Sequence, residues 1–135
     1  MNDLDLQKLY EAALKASENS YSPYSNFPVG AALLLPDGKV ITGANIENRS
    51  YGLTNCAERR AIFAAASAGY RTFCALAIAT PKADYPVGPC GACRQVISEF
   101  APADVPVVFG HNWQNAVKTT VGELYPFDSL HELAK

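Results

Sequence analysis

The sequence is short of positive charge. Its 135 residues carry 11 Lys and Arg against 13 Asp and Glu, a formal net charge of −2 at pH 7, and the basic residues form no block. Nucleic-acid binding rests on neutralising phosphates, so this balance argues against a polyanionic partner. Long apolar runs are missing too, and none approaches the roughly 18 residues needed to span a bilayer. The amino terminus, Met1-Asn2-Asp3-Leu4-Asp5, is acidic and lacks the basic and apolar regions of a signal peptide, which predicts a cytoplasmic location. Cysteine is sparse, at four, and histidine sparser, at two. Without a secretory context, a Cys-x-x-Cys pair reads first as metal or redox chemistry and not as disulfides. A chain of this size is expected to form one domain, 1–135, that buries roughly 68% of its unfolded surface.

What is present alternates between helix and strand patterns. Leu6, Leu9, Tyr10, Ala13 and Leu14 recur at helical spacing, predicting an amphipathic helix from Asp3 to Ser20. Tyr21-Ser22-Pro23 ends it, because the residue before a proline avoids the helical region. Val29 to Leu35 is a continuous apolar run suited to a strand covered on both faces. Pro36-Asp37-Gly38-Lys39 predicts a hairpin turn, after which Val40 to Ala44 pairs antiparallel with the first strand. Further helices are expected at Cys56–Ala68, closed by Gly69, and at Cys90–Phe100. Strands are expected at Phe73–Thr80, Val105–Phe109 and Ala116–Thr120, and a short terminal helix at Leu130–Lys135. An α/β fold with a mixed sheet and helices on its faces follows.

The motif that carries chemistry is Cys56-Ala57-Glu58 followed by Pro89-Cys90-Gly91-Ala92-Cys93. Three thiolates leave a tetrahedral zinc one position short, and an open position is what separates a catalytic zinc site from a structural one. Glu58, two residues beyond Cys56, is placed to move protons without being a ligand. Both halves fall at predicted helix N-termini, where the helix dipole and free N–H groups favour thiolates. The pattern ligand-x-Glu with Pro-Cys-x-x-Cys is the signature of zinc-dependent nucleobase deaminases. Other readings stand beside it. A closed four-ligand zinc module would take Cys74, His111 or His131 as its fourth ligand. A thioredoxin-like dithiol would use Cys90 and Cys93 alone, leaving Cys56 and Glu58 without a role. Cys74, inside an apolar strand, reads as a buried inert thiol.

Four blocks in order carry a wider resemblance: 23–32 (PYSNFPVGAA), 43–48 (GANIEN), 50–59 (SYGLTNCAER) and 89–95 (PCGACRQ). Together they resemble the small, homotetrameric, zinc-dependent cytidine deaminases over nearly the whole chain. The resemblance implies a three-layer α/β/α fold on a mixed five-stranded sheet, and one Zn²⁺ per subunit held by Cys56, Cys90 and Cys93. It also implies a homotetramer whose active sites are completed by neighbouring subunits. The implied activity is hydrolytic deamination of cytidine and 2′-deoxycytidine to the uridine nucleosides with release of ammonia, in pyrimidine salvage. Glu58 would be the general acid/base. Phe27 would lie against the pyrimidine, backbone groups around Ala57 would read the base's amide edge, and Asn45 and Glu47 would hold the sugar's 3′ side. Tyr51 would reach toward an adjacent subunit's site, and Arg59 would hydrogen-bond ligand sulfurs.

Each assignment has a plainer counterpart. Glu58 also suits any helix start, Phe27 any core, and Asn45 and Glu47 any polar turn. Arg60 and Arg94 read as solvated helix faces. The family commonly has Leu-Leu-Pro-x-x-Phe near its end, whereas this chain has Leu124-Tyr125-Pro126-Phe127, so Phe127 or an unrelated side chain is expected to shape the neighbour's pocket. An alternative substrate is another aminated pyrimidine nucleoside or a nucleoside antibiotic. A deaminase acting on polynucleotides would need a basic groove that this chain does not advertise.

Overall fold

A computed structural model describes residues 2–128 and 133. Helix α1 spans Asp3–Ala16, with Asn2 capping it by accepting from the Asp5 amide, and a 3₁₀ turn at Ser17–Asn19 extends it. The predicted helix to Ser20 thus tightens over its last turn, as helix ends commonly do. Strands β1 (Gly30–Leu34) and β2 (Val40–Ala44) form the expected hairpin, and Gly38 takes the positive φ of 90° that its turn demands. Then follow α2 (Ala57–Ser67), β3 (Ala75–Ala79), α3 (Gly91–Phe100), β4 (Pro106–Gly110), β5 (Val117–Thr120) and the short α4 (Val121–Leu124). Gly69, at φ 99°, lies just past the end of α2 as expected. The sequence reading did not anticipate α4. The terminal helix expected at 130–135 lies outside the described residues apart from Leu133.

The five strands order as β2-β1-β3-β4-β5. Only β3 and β4 run parallel, joined through α3, and the other pairs are antiparallel. The sheet is therefore mixed, as predicted. Alternation along its strands feeds two cores. Ala31, Leu33, Leu76, Ile78 and Val107 face α2 and α3. Ala32, Ala75, Ala77, Ala79 and Val108 face Leu6, Leu9, Tyr10 and Ala13 of α1. These two faces give the three-layer α/β/α arrangement.

Two glycines let helices sit close to the sheet. A Cβ on Gly30 would fall 1.9 Å from the Ala13 carbonyl oxygen, so α1 could not dock as it does. A Cβ on Gly43 would come within 2.6 Å of the Ala61 amide nitrogen and 2.7 Å of the Ala57 oxygen. Gly43 thereby sets the distance of α2, and of everything at its first turn, from β2.

Cys74 corrects the sequence expectation. β3 starts two residues later than expected, at Ala75, and Cys74 is exposed in the approach to it, while its neighbour Phe73 points inward. Cys74 lies in a bend, so the alternation of β3, which would place it with buried Leu76 and Ile78, does not reach it. Arg94 is a second correction: it is part-buried and not on a solvated face. Its Nε donates to the Pro89 carbonyl at 2.8 Å and its Nη1 to the Leu124 carbonyl at 2.8 Å, tying the segment before Cys90 to the end of α4. Arg60 is exposed, as expected. No helix among the described residues is long and apolar enough to cross a membrane.

Candidate active site

The site lies at the carboxyl end of β3, beyond which the chain crosses through α3 to the parallel β4, the usual ligand position in such units. Cys56 is the N-cap residue of α2 and Cys90 that of α3, while Cys93 sits in the first turn of α3. The three sulfurs lie within 4.8 Å of one another, and those of Cys90 and Cys93 are 3.4 Å apart. Two positive helix ends thus converge on three sulfurs. Cys90 Sγ accepts from the Cys93 amide at 3.4 Å, and Arg59 Nη2 donates to Cys56 Sγ at 3.2 Å.

The electrostatics of the cluster follow from this crowding. A hydrogen bond from Cys93, then the Arg59 guanidinium, hold Cys56 down at about 5 against the cost of its burial. Cys93 is raised, because its proton is committed to Cys56 and its surroundings are dry. The cluster therefore keeps a proton among its sulfurs where a dication would take its place, and metal binding to thiols releases such protons. Tetrahedral zinc–thiolate bonds of 2.3 Å put sulfurs about 3.8 Å apart, so the observed cluster fits zinc in both size and donor type. Cys74 and His111 lie outside this cluster, and among the described residues no fourth ligand joins it. His131 is outside the described residues.

Glu58 follows in the first turn of α2 and is only 5% exposed. Burial, the dominant cause, pushes its carboxyl up to about 7. It lines a cleft of about 400 Å³ together with Cys56, Cys90, Ala57, Phe27, Asn45 and Glu47. The volume falls within the range of small-molecule sites, roughly 300–1,000 Å³. A larger cleft, about 610 Å³, lies against Ser98, Val121, Tyr125 and Phe127 and shares no lining residue with it.

The mouth of the cleft is built by extended chain. Asn45 and Glu47, two apart after β2, project to the same side. A two-way backbone bridge between Ile46 and Asn55 fastens this segment to the residue before Cys56. Asn45 is 8% exposed. Its Oδ1 accepts from Ser20 Oγ at 2.5 Å and the Val29 amide at 2.9 Å, and its Nδ2 donates to the Phe27 carbonyl at 2.9 Å. Both lone pairs of Oδ1 are used, and one N–H remains. Glu47 Oε1 accepts from the Tyr24 amide at 3.0 Å and the Ser25 amide at 3.2 Å, and Oε2 accepts a short hydrogen bond from Ser25 Oγ. The Ser25 hydroxyl bond, chiefly, lowers the Glu47 pKa from its ordinary value.

The structure thus brings together Cys56, Cys90, Cys93, Glu58, Phe27, Asn45, Glu47 and Ala57, with Arg59 behind the sulfurs. It leaves two residues aside within one chain. Tyr51 is 75% exposed and lies edge-on to Tyr24 outside the cleft, and Phe127 is 93% exposed at the larger one. Sequence reasoning missed Ser25, Val29, Thr54, Ile78, Thr80, Val87 and Gly88, which also line the cleft. For Ile78 and Thr80 the signal was available: two apart at the carboxyl end of β3 and just beyond it, they fall on one side of extended chain. Thr80 Oγ1 is buried with no hydrogen-bond partner among the described residues.

Residues 4–109 match the model of the cytidine and deoxycytidylate deaminase zinc-binding region. The chain belongs to that family. A curated relative, the cytidine deaminase of Halalkalibacterium halodurans, is 54% identical over 123 residues, covering 91% of this chain and 92% of its own. The cytidine deaminase of Sporosarcina psychrophila is 50% identical over 91% of this chain and 90% of its own. Among solved structures, the cytidine deaminase of Burkholderia pseudomallei superposes with a TM-score of 0.86 at 47% identity, over 95% of this chain and 99% of that one. The family's zinc-binding region contains the cluster, so zinc is the cofactor that these cysteines fit. As a family member the chain also carries the five-stranded mixed sheet of its structural neighbours.

Proposed function

We propose that the protein is a zinc-dependent hydrolase that removes the C4 amino group of cytidine and 2′-deoxycytidine, giving the uridine nucleosides and ammonia. One observation carries the reading: a buried carboxyl, Glu58, stands beside a three-sulfur cluster and shares a cleft with Asn45 and Glu47. Cys56, Cys90 and Cys93 would hold one zinc per chain. Bound there, zinc supplies the Lewis acidity that makes water a nucleophile at neutral pH.

The chain's own residues account for the rest. Glu58 accepts one proton of the attacking water and delivers it to ring N3. It then takes the proton of the hydroxyl now on C4 and delivers it to the amine, so that the C4–N bond breaks as the C4 carbonyl forms. Such general acid/base work contributes about 10²–10⁴ in rate. The Cys56 side chain makes no cap bond at the start of α2, so first-turn amides around Ala57 are available to the base's carbonyl. Phe27 and Val29 supply apolar wall for the ring. Arg59 draws charge from Cys56, offsetting three anionic ligands on a dication.

The hydrogen-bond counts at the mouth support a single sugar hydroxyl as its ligand. Asn45 has one donor left and Glu47 Oε2 retains acceptor capacity. A hydroxyl that donates to Glu47 and accepts from Asn45 satisfies both, and this suits ribose and 2′-deoxyribose alike through the 3′ position. No Lys or Arg lines the cleft among the described residues, and Glu47 and Glu58 do. A 5′-phosphate therefore finds no counter-charge on this chain's side of the cleft, which favours the nucleoside over the nucleotide.

Assembly as a homotetramer with shared active sites completes the reading. Phe63 and Ala64 on α2 are exposed in the single chain, so the rest of the chain does not cover this apolar face. Tyr51 and Leu53, outside the chain's own cleft, are likewise open, and a neighbouring copy would bury them and take Tyr51 and Phe127 toward its own cleft. The whole of 1–135 acts as one catalytic domain, in the cytoplasm. Following loss of cytidine absorbance together with ammonia release tests the activity; cytidine and 2′-deoxycytidine should react, and 2′-deoxycytidylate should be poor.

A further inference from the structure

Ser25 sits where two of the proposed substrate contacts meet. Its hydroxyl donates to Glu47 Oε2 and accepts from the Phe27 amide at 3.1 Å, while its own amide donates to Glu47 Oε1 at 3.2 Å. A serine hydroxyl has one proton, and accepting from Phe27 leaves that proton to point at the carboxylate. Asn26, at φ 54°, folds the chain back between Ser25 and Phe27 so that one hydroxyl reaches both. We propose that Ser25 is a positioning residue that fixes the Glu47 carboxylate and the Phe27 backbone in one register, so that sugar and base are gripped together.

The proposal rests on the reading of Glu47 as the sugar's receiver. Two backbone amides anchor Oε1 whatever stands at 25, but they leave the carboxylate free to swing about that anchor. The hydroxyl bond removes this freedom and directs the remaining lone pairs of Oε2 toward the cleft. Losing it should therefore weaken ground-state and transition-state binding equally, raising KM and sparing kcat. Ser25 is exposed, so its replacement creates no core defect.

Steady-state kinetics on cytidine with zinc-loaded wild type, Ser25→Ala, Ser25→Thr, Glu47→Ala and the Ser25→Ala/Glu47→Ala double variant tests this, with zinc content measured alongside. Ser25→Ala should raise KM about 3- to 10-fold with kcat nearly unchanged. Ser25→Thr, which keeps the hydroxyl, should restore KM, and zinc should stay at one per chain throughout. In the Glu47→Ala background, Ser25→Ala should add less than about twofold, because the group it positions is gone. An unchanged KM in Ser25→Ala, or an undiminished effect in the Glu47→Ala background, overturns the role of Ser25 alone. An unaltered KM in Glu47→Ala overturns the sugar assignment, and the role of Ser25 with it.

Discussion

Ser20 Oγ donates to Asn45 Oδ1 at 2.5 Å, and with the Val29 amide it uses up that oxygen's acceptor capacity. The Asn45 amide is thereby fixed with nitrogen toward the Phe27 carbonyl and one N–H left over. Asn45 can therefore offer a ligand only a donor.

Asn45→Asp is consequently not conservative. It preserves the two accepted bonds but puts an anion against the Phe27 carbonyl and removes the spare donor. We expect it to lose activity on cytidine at least as severely as Asn45→Ala. Glu47→Ala should cost about 10- to 150-fold in kcat/KM while zinc stays bound, from about 1.5–3 kcal/mol for a bond to a charged group, and Asn45→Ala about 2- to 12-fold, from about 0.5–1.5 kcal/mol for a neutral one. Unchanged kcat/KM in both alanine variants would mean the sugar sits elsewhere.

The lowered pKa of Glu47 yields a pH prediction. Its charged form is favoured in the folded protein, so its contribution is complete above the ordinary carboxylate range and is lost only as pH falls through the depressed folded value. The ratio of kcat/KM between wild type and Glu47→Gln should stay flat from about pH 8 to about pH 5.5. Taking a ratio cancels any metal loss shared by the two proteins. A ratio that declines within that window would show a carboxyl with a raised pKa instead.

Much of this was legible in the sequence because its signals are local. The Asp37-Gly38 turn, the apolar run of β1 and the two cysteine-led helix starts each depend on a few adjacent residues. Cys74 and Arg94 were misread for the same reason. Whether a residue at a strand's edge points in or out depends on where pairing begins, and β3 pairs from Ala75. Arg94 is drawn in by hydrogen bonds to Pro89 and, thirty residues on, Leu124, which no local pattern announces. Of the cleft's remaining walls, Val87 and Gly88 are set by the crossover between β3 and α3 and not by any motif.

Gly43 predicts a packing defect with a functional reading. Its Cβ would press on the backbone of α2 at Ala57 and Ala61, and backbone cannot turn aside as a side chain can. Gly43→Ala should destabilise the fold by about 1–3 kcal/mol, as overpacking does. It should also weaken zinc retention against a chelator, since Cys56 begins that helix. Wild-type unfolding and chelator resistance in Gly43→Ala would show that α2 accommodates the methyl group freely.

The exposed apolar side chains Phe63, Tyr51 and Leu53 predict association. Light scattering on dilute active enzyme should give the mass of four chains, and Phe63→Glu should lower both mass and activity. A fully active monomer would contradict shared active sites.

The central claim is that Glu58 carries protons for a zinc held by the three cysteines and is not itself a ligand. Zinc content and ammonia release measured together on Glu58→Gln, with Cys90→Ala beside it, test this most directly. The account predicts one zinc per chain in Glu58→Gln with at least about 100-fold loss of turnover, and zinc depletion in Cys90→Ala. Equal zinc loss in both variants, or a Glu58→Gln enzyme that turns over cytidine at the wild-type rate, would contradict it.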